Sequence, residues 1–142
     1  MIEAQRKQFL EIRKVLDSFV EKIVDNVTEI NEHTVAIREW TPGTFVAGDV
    51  RMHVGIPYKC IQSHDSTGND AWTPADAPAL WMQYHGTSKA TARPWIAPTG
   101  AHDVYKVGEW MIWTDGLAYQ CLSDTNFSPV EYSAAWSSGE EL

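Results

Sequence analysis

No Trp, Gly, Pro or Tyr occurs before residue 40, yet 7 Trp, 9 Gly, 7 Pro and 5 Tyr occur from it onward. A segment free of Gly and Pro contains no backbone breaker, whereas one dense in Trp, Gly and Pro must turn often around aromatic rings. This break divides the 142 residues into two kinds of material. The leading part is supplied with Glu, Lys, Arg, Leu and Gln, all good helix formers.

Every seventh position from Ile2 is apolar: Ile2, Phe9, Leu16, Ile23, Ile30 and Ile37. Three residues on from these come Gln5, Ile12, Phe19, Asn26 and His33. A seam in strict seven-residue register predicts one helix over residues 2–37, about 54 Å long at 1.5 Å per residue. Val15, Val20 and Val27 widen the stripe, which favours a homotrimeric coiled coil over a dimer, with Asn26 fixing the register. The alternatives are packing on the chain's own remainder or on a helix of another protein. Trp40-Thr41-Pro42-Gly43 marks the end of the helix.

The net charge of -8, with no basic patch, disfavours nucleic acid and anionic membranes as partners. No apolar run approaches the roughly 18 residues of a membrane-spanning helix. The first residues lack the apolar core of a secretory signal, so a cytoplasmically assembled protein is expected. Two cysteines make no disulfide framework, and no Cys/His spacing suggests zinc; neither metal nor cofactor is expected.

From residue 40 the chain repeats loosely. Gly55, Tyr58 and Cys60 have counterparts at one constant displacement in Gly116, Tyr119 and Cys121. Phe45-Val46-Ala47-Gly48 matches Tyr105-Lys106-Val107-Gly108, and Trp72-Thr73-Pro74 before Trp81 matches Phe127-Ser128-Pro129 before Trp136. Alternation in Tyr58–Ile61 and Ala118–Leu122 reads as short strands, and Asp115-Gly116 as a hairpin turn. Cys60 and Cys121, equivalent positions in separate units, are expected as compact core residues. The fold class is therefore α+β in several parts: a long N-terminal helix over 1–39, then two small all-β antiparallel modules over 40–86 and 94–138.

The unit Trp40-x4-Phe45-x2-Gly48-Asp49, Gly55-x2-Tyr58-x-Cys60-x3-His64-x-Ser66, Trp72-x-Pro74-x3-Pro78-x2-Trp81 resembles the chitin-binding carbohydrate-binding modules of families 5 and 12. The second unit resembles the same group in a variant typical of bacteriophage and prophage tail-associated proteins. That variant carries Pro98-Thr99-Gly100-Ala101-His102-Asp103 before Tyr105. The resemblance implies structural roles for Trp40, Tyr58, Cys60, Trp81, Trp95, Tyr119, Cys121 and Trp136, and sugar stacking for Trp72 and Phe127. Three features depart from the pattern. Phe127 replaces a Trp, the segment from Cys121 to Phe127 is shorter than that from Cys60 to Trp72, and Arg51 and His53 occupy strand positions usually apolar or aromatic.

A sugar ring presents C–H groups on one face and hydroxyls at its rim. An aromatic plate suits the C–H face while excluding water, and polar neighbours such as His64, Asp65 and Ser66 could bond the rim. Strand alternation puts Trp110 opposite Met111 and Trp113, which makes it a further plate if those two face inward. The expected carbohydrate-binding set is thus Trp72, Pro74, His64, Trp110 and Phe127. The plainer alternatives are that Trp72 covers its own core and that Trp110 packs on the first unit. Asp65, Asp70 and Asp76 lie near Trp72 in sequence, but so small a unit offers little cleft for a glycosidase's carboxylate pair. No catalytic residue is assigned, and the chain is expected not to be an enzyme.

The expected function is that of a phage virion protein of the tail or a surface fibre, assembled in the host cytoplasm and released by lysis. It would attach trimerised modules to surface polysaccharide alongside other virion proteins. The alternative is a structural virion protein whose modules serve as protein–protein joints without glycan. A targeting fragment of a larger enzyme is a third reading, against which the start at Met1 and stop at Leu142 are set.

Overall fold

The computed structural model describes residues 2–142. An N-terminal helix is followed by small β-sheets, in two compact units, one ending at Trp81 and the other spanning Met82–Leu142. No helix among the described residues is long and apolar enough to cross a membrane.

Helix α1 spans Glu3–Ile23, with Glu3 in its first turn and Lys22 in its last, as the helix dipole favours. The single helix expected over 2–37 is not formed, because the chain breaks at Asn26. That residue is extended, and its side chain accepts the Glu29 N–H at 3.1 Å, which starts a second helix, α2, over Val27–Glu32. An Asn side chain offers the backbone an alternative to continued helix, and here that option prevails. Asn26 is therefore a cap and not a register-fixing seam residue. A 3-10 turn over Thr34–Ala36 completes the return of the chain.

This return divides the heptad stripe. Ile23, Ile30 and Ile37 are buried, Leu16 and Phe19 are half-buried, and Ile2, Phe9 and Ile12 remain exposed. Phe19 meets the His33 ring edge-on at 5.0 Å, and Arg13 donates to the Ala36 carbonyl. Asp17 receives Arg13 at 2.9 Å and Arg38 at 2.9 Å. The second half of the stripe thus serves the unit's own interior.

In the same unit β1 (Thr44–Phe45) pairs antiparallel with β4 (His64–Asp65). Strands β2 (Val50–His53) and β3 (Ile56–Cys60) form a hairpin with Val50 opposite Lys59 and His53 opposite Ile56. Its turn places Val54 at φ 49 and Gly55 at φ 75. Phe45, Tyr58, Cys60 and Trp81 form the core, with Trp40, Ile56, Ala77 and Leu80 packed against it. Strand β5 begins at Trp81 and runs to Gln83.

In the second unit β6 (Arg93–Pro94) pairs parallel with β7 (Trp110–Ile112), which pairs antiparallel with β8 (Ala118–Gln120). Its core is Tyr105, Met111, Cys121, Ala135 and Trp136, with Trp95, Trp113 and Tyr119 packed around it. The residues expected to be structural are accordingly in or against the two cores. Cys60 and Cys121 are free, buried thiols. Burial raises the pKa of both, that of Cys121 to about 11.

Candidate functional site

Trp72 lies on the irregular segment between β4 and β5 and keeps 45% of its surface exposed. That segment is clamped before the ring. Ser66 is fully buried, and its hydroxyl accepts the Gly43 N–H and donates to the Gly43 carbonyl, each at 3.1 Å. Asp65 accepts the Thr67 N–H at 2.9 Å and Asn69 accepts the Ala71 N–H at 3.1 Å. Hydrogen bonds from Thr67 hold the Asp65 carboxyl below its ordinary pKa.

A second clamp lies beyond the ring. Thr73 and Asp76 cap one another reciprocally, with Asp76 N–H donating to the Thr73 hydroxyl at 3.2 Å and that hydroxyl donating to the Asp76 carboxylate at 3.1 Å. Pro74 is fully buried, and Ala77 and Leu80 reach the core. An indole held between two anchored turns loses little conformational freedom on meeting a flat ligand, which is what a stacking platform requires.

The expected site residues divide. Trp72 is presented to solvent, but Pro74, expected beside it at the surface, is enclosed and so shapes the turn without offering contact area. His64 is turned inward too. Its ring packs 5.5 Å from Phe45 and 5.7 Å from Trp81, and Nδ1 lies 2.7 Å from the Gln62 carbonyl, so it donates there. It packs on the core of the unit. Among the described residues, no group of three or more His, Cys, Asp or Glu is placed to hold a metal ion.

The second unit reproduces the bonding of the first. Val46 and Lys106 donate their N–H groups to the carboxylates of Asp49 and Glu109, at 2.9 and 2.7 Å. Gly48 and Gly108 donate to the carbonyls of Cys60 and Cys121, at 2.8 and 2.9 Å. The backbone N–H groups of those cysteines donate back to the carbonyls of Asp49 and Glu109, both at 2.7 Å. Phe45 meets Trp81 edge-on at 5.0 Å, and Tyr105 meets Trp136 at 5.3 Å. Ser128 and Glu131 make a related reciprocal cap, in which the Glu131 N–H donates to the Ser128 hydroxyl and the Ser128 N–H, rather than its hydroxyl, donates to the carboxylate.

Within this scheme Phe127 stands where Trp72 does and is 50% exposed. Trp110 is half-buried on the face of β7 opposite the fully buried Met111, while Trp113 packs on the core. Sequence reasoning missed Tyr132, 49% exposed, on the same turn as Phe127. Its N–H donates to the Ser128 carbonyl as that of Ala77 donates to Thr73. The counterpart is therefore Ala77, and aligning the two Pro-containing turns would have revealed a second exposed ring.

A small aromatic-cored β unit that holds an indole in solvent on a braced loop has the form of a binding module for flat, partly apolar ligands. Residues 39–82 match the model of carbohydrate-binding module family 5/12, so the first unit carries one such module. This chain is also 44% identical over 45 residues to Streptogrisin-C of Streptomyces griseus, a match covering 31% of this chain and 9% of that protein.

Proposed function

We propose that this chain is a non-catalytic adhesion protein of a phage tail or surface fibre, which holds chitin-like or other surface polysaccharide on aromatic plates. The observation that carries the proposal is the exposed Trp72 on a loop clamped at Ser66 and Pro74, within the stretch that matches the carbohydrate-binding family. The second unit is a further module of the same kind, a reading supported by the shared bonding of Asp49 and Glu109 and of Cys60 and Cys121. The virion setting is supported by the resemblance of Pro98–Asp103 to tail-associated chains.

Association rests on the first turns of α1, where Ile2, Phe9, Ile12 and Val15 are exposed in heptad-related positions. One aromatic plate supplies about 1 to 3 kcal/mol, by analogy with stacking on bases, which alone corresponds to binding no tighter than about millimolar. Gathering three chains would strengthen that contact about 10²-fold through effective concentration.

The test is retention of the full chain on insoluble chitin and on a glycan array, for wild type, Trp72→Ala and Phe127→Ala. Trp72→Ala is expected to lose at least about tenfold in retention, a change of about 1.4 kcal/mol, with an unchanged melting temperature. Retention equal to wild type would overturn the platform. Sedimentation of Phe9→Glu/Ile12→Glu is expected to shift a trimer to monomer. A folded wild type that binds no glycan would favour the modules as joints between virion proteins.

A further inference from the structure

Arg51 is placed unusually for a cation. It lies on β2 between the buried Val50 and Met52, is itself half-buried, and holds its guanidinium 5.2 Å from the centroid of the Phe45 ring. One of its N–H groups donates to the Val50 carbonyl at 2.8 Å. Among the described residues no carboxylate comes within ion-pair distance of it. Asp49, an adjacent acid, is engaged by the Val46 N–H. Burial lowers the Arg51 pKa, outweighing the opposing pull of the Asp49 carboxylate. A guanidinium carries five N–H donors and stays charged in proteins, so donors drawn out of water favour an incoming acceptor.

Beside Arg51 an open cavity of about 480 Å³ is lined by Arg38, Glu39, Gly43, Thr44 and Phe45 among others. Glu39 is its one carboxylate, and it stands beyond ion-pair distance of either arginine. Two guanidinium groups thus line one cavity whose lining carries a single carboxylate; Arg38 is paired from outside it by Asp17, which leaves the Arg51 guanidinium as the one without an ion-pair partner among the described residues. The cavity adjoins the structure that positions Trp72. Gly43 bonds Ser66, and Thr44 pairs with Asp65 across the β1–β4 ladder.

We propose that this cavity takes an anionic substituent of a glycan, either the carboxylate of a uronic acid or the phosphate of a phosphodiester-linked sugar polymer, with Arg51 as principal donor and Arg38 as second charge. The proposal rests on the reading of the first unit as a polysaccharide holder and adds a preference for acidic polymer. Planar, two-point recognition of carboxylate or phosphate is what a guanidinium does better than an ammonium group.

The test is calorimetric titration of the full chain with oligogalacturonate, poly(glycerol phosphate) and neutral chitooligosaccharide, at low and high salt. Wild type is expected to prefer one or both acidic probes, and the stronger one identifies the group. Arg51→Gln is expected to lose about tenfold in affinity for that probe and nothing for the neutral one, with Arg51→Lys recovering part. Salt should weaken acidic binding selectively.

Equal affinity of Arg51→Gln and wild type for the acidic probes overturns the proposal, as does equal wild-type affinity for acidic and neutral probes. Loss of neutral binding in Trp72→Ala separates the two ideas, since failure there removes the platform and leaves the acidic arm readable. Should Arg51→Gln not fold, the wild-type melting temperature decides. Galacturonate or glycerol phosphate must raise it where galactose does not, and no rise with either overturns the proposal.

Discussion

Trp136 donates its indole N–H to the carbonyl of Phe127 at 3.0 Å, tying the core of the second unit to the residue it displays. Its counterpart Trp81 has a buried indole N–H with no partner among the described residues. A buried donor left unmade costs free energy, while a made one contributes about 1 kcal/mol net. Trp136→Phe is therefore expected to destabilise its unit by about 1 kcal/mol more than Trp81→Phe destabilises the other. Denaturant midpoints of the two variants measure the difference, and equal losses would contradict it.

Asn26 caps α2 through its side chain, so Asn26→Ala should cost about 1 kcal/mol of stability. A polar seam residue predicts the opposite, because an apolar replacement there stabilises a coiled coil. Thermal unfolding of the variant at two protein concentrations distinguishes the outcomes.

Val54 occupies φ 49 at the tip of the β2–β3 hairpin and is 82% exposed. A β-branched residue is strained there, whereas Asn or Gly fits the left-handed region. Val54→Asn is expected to raise stability by about 0.5 to 1 kcal/mol, read as a higher urea midpoint at unchanged slope.

Asp103 accepts the Thr99 N–H, the Thr99 hydroxyl and the Gly100 N–H within 3.0 Å. Burial alone would raise its pKa, but these hydrogen bonds outweigh burial and hold it below the ordinary 3.8. Its folded value being the lower one, the stabilisation is complete above 3.8 and fades as pH falls through the depressed value. Asp103→Asn should therefore cost about 1 to 3 kcal/mol at neutral pH. Urea midpoints taken down a pH series are expected to show the gap from wild type closing in acid.

The aromatic cores were legible because Trp40, Tyr58, Cys60 and Trp81 keep an order and spacing that one small β unit needs, and the second unit repeats it. The helix was legible in type but not in length. Heptad counting accepts an Asn at one seam position, and nothing in the count distinguishes a residue facing a partner from one that caps a new helix. Trp72 is exposed as the sequence led one to expect, whereas Pro74 is enclosed, since a Trp-x-Pro spacing does not reveal which ring faces solvent. Pro74 is buried and His64 packs on Phe45 and Trp81, and Tyr132 lies where the first unit has only Ala77.

The return of the chain after Ile23 has a mechanical consequence. A pull applied at the amino end of α1 is not taken up by a slack linker. It passes through the Asp17–Arg38 pair, the Arg13 contact with Ala36 and the enclosed Ile30 directly into the body that displays Trp72. Tension between that end and Trp72 would thus be resisted by folded structure rather than by loose chain.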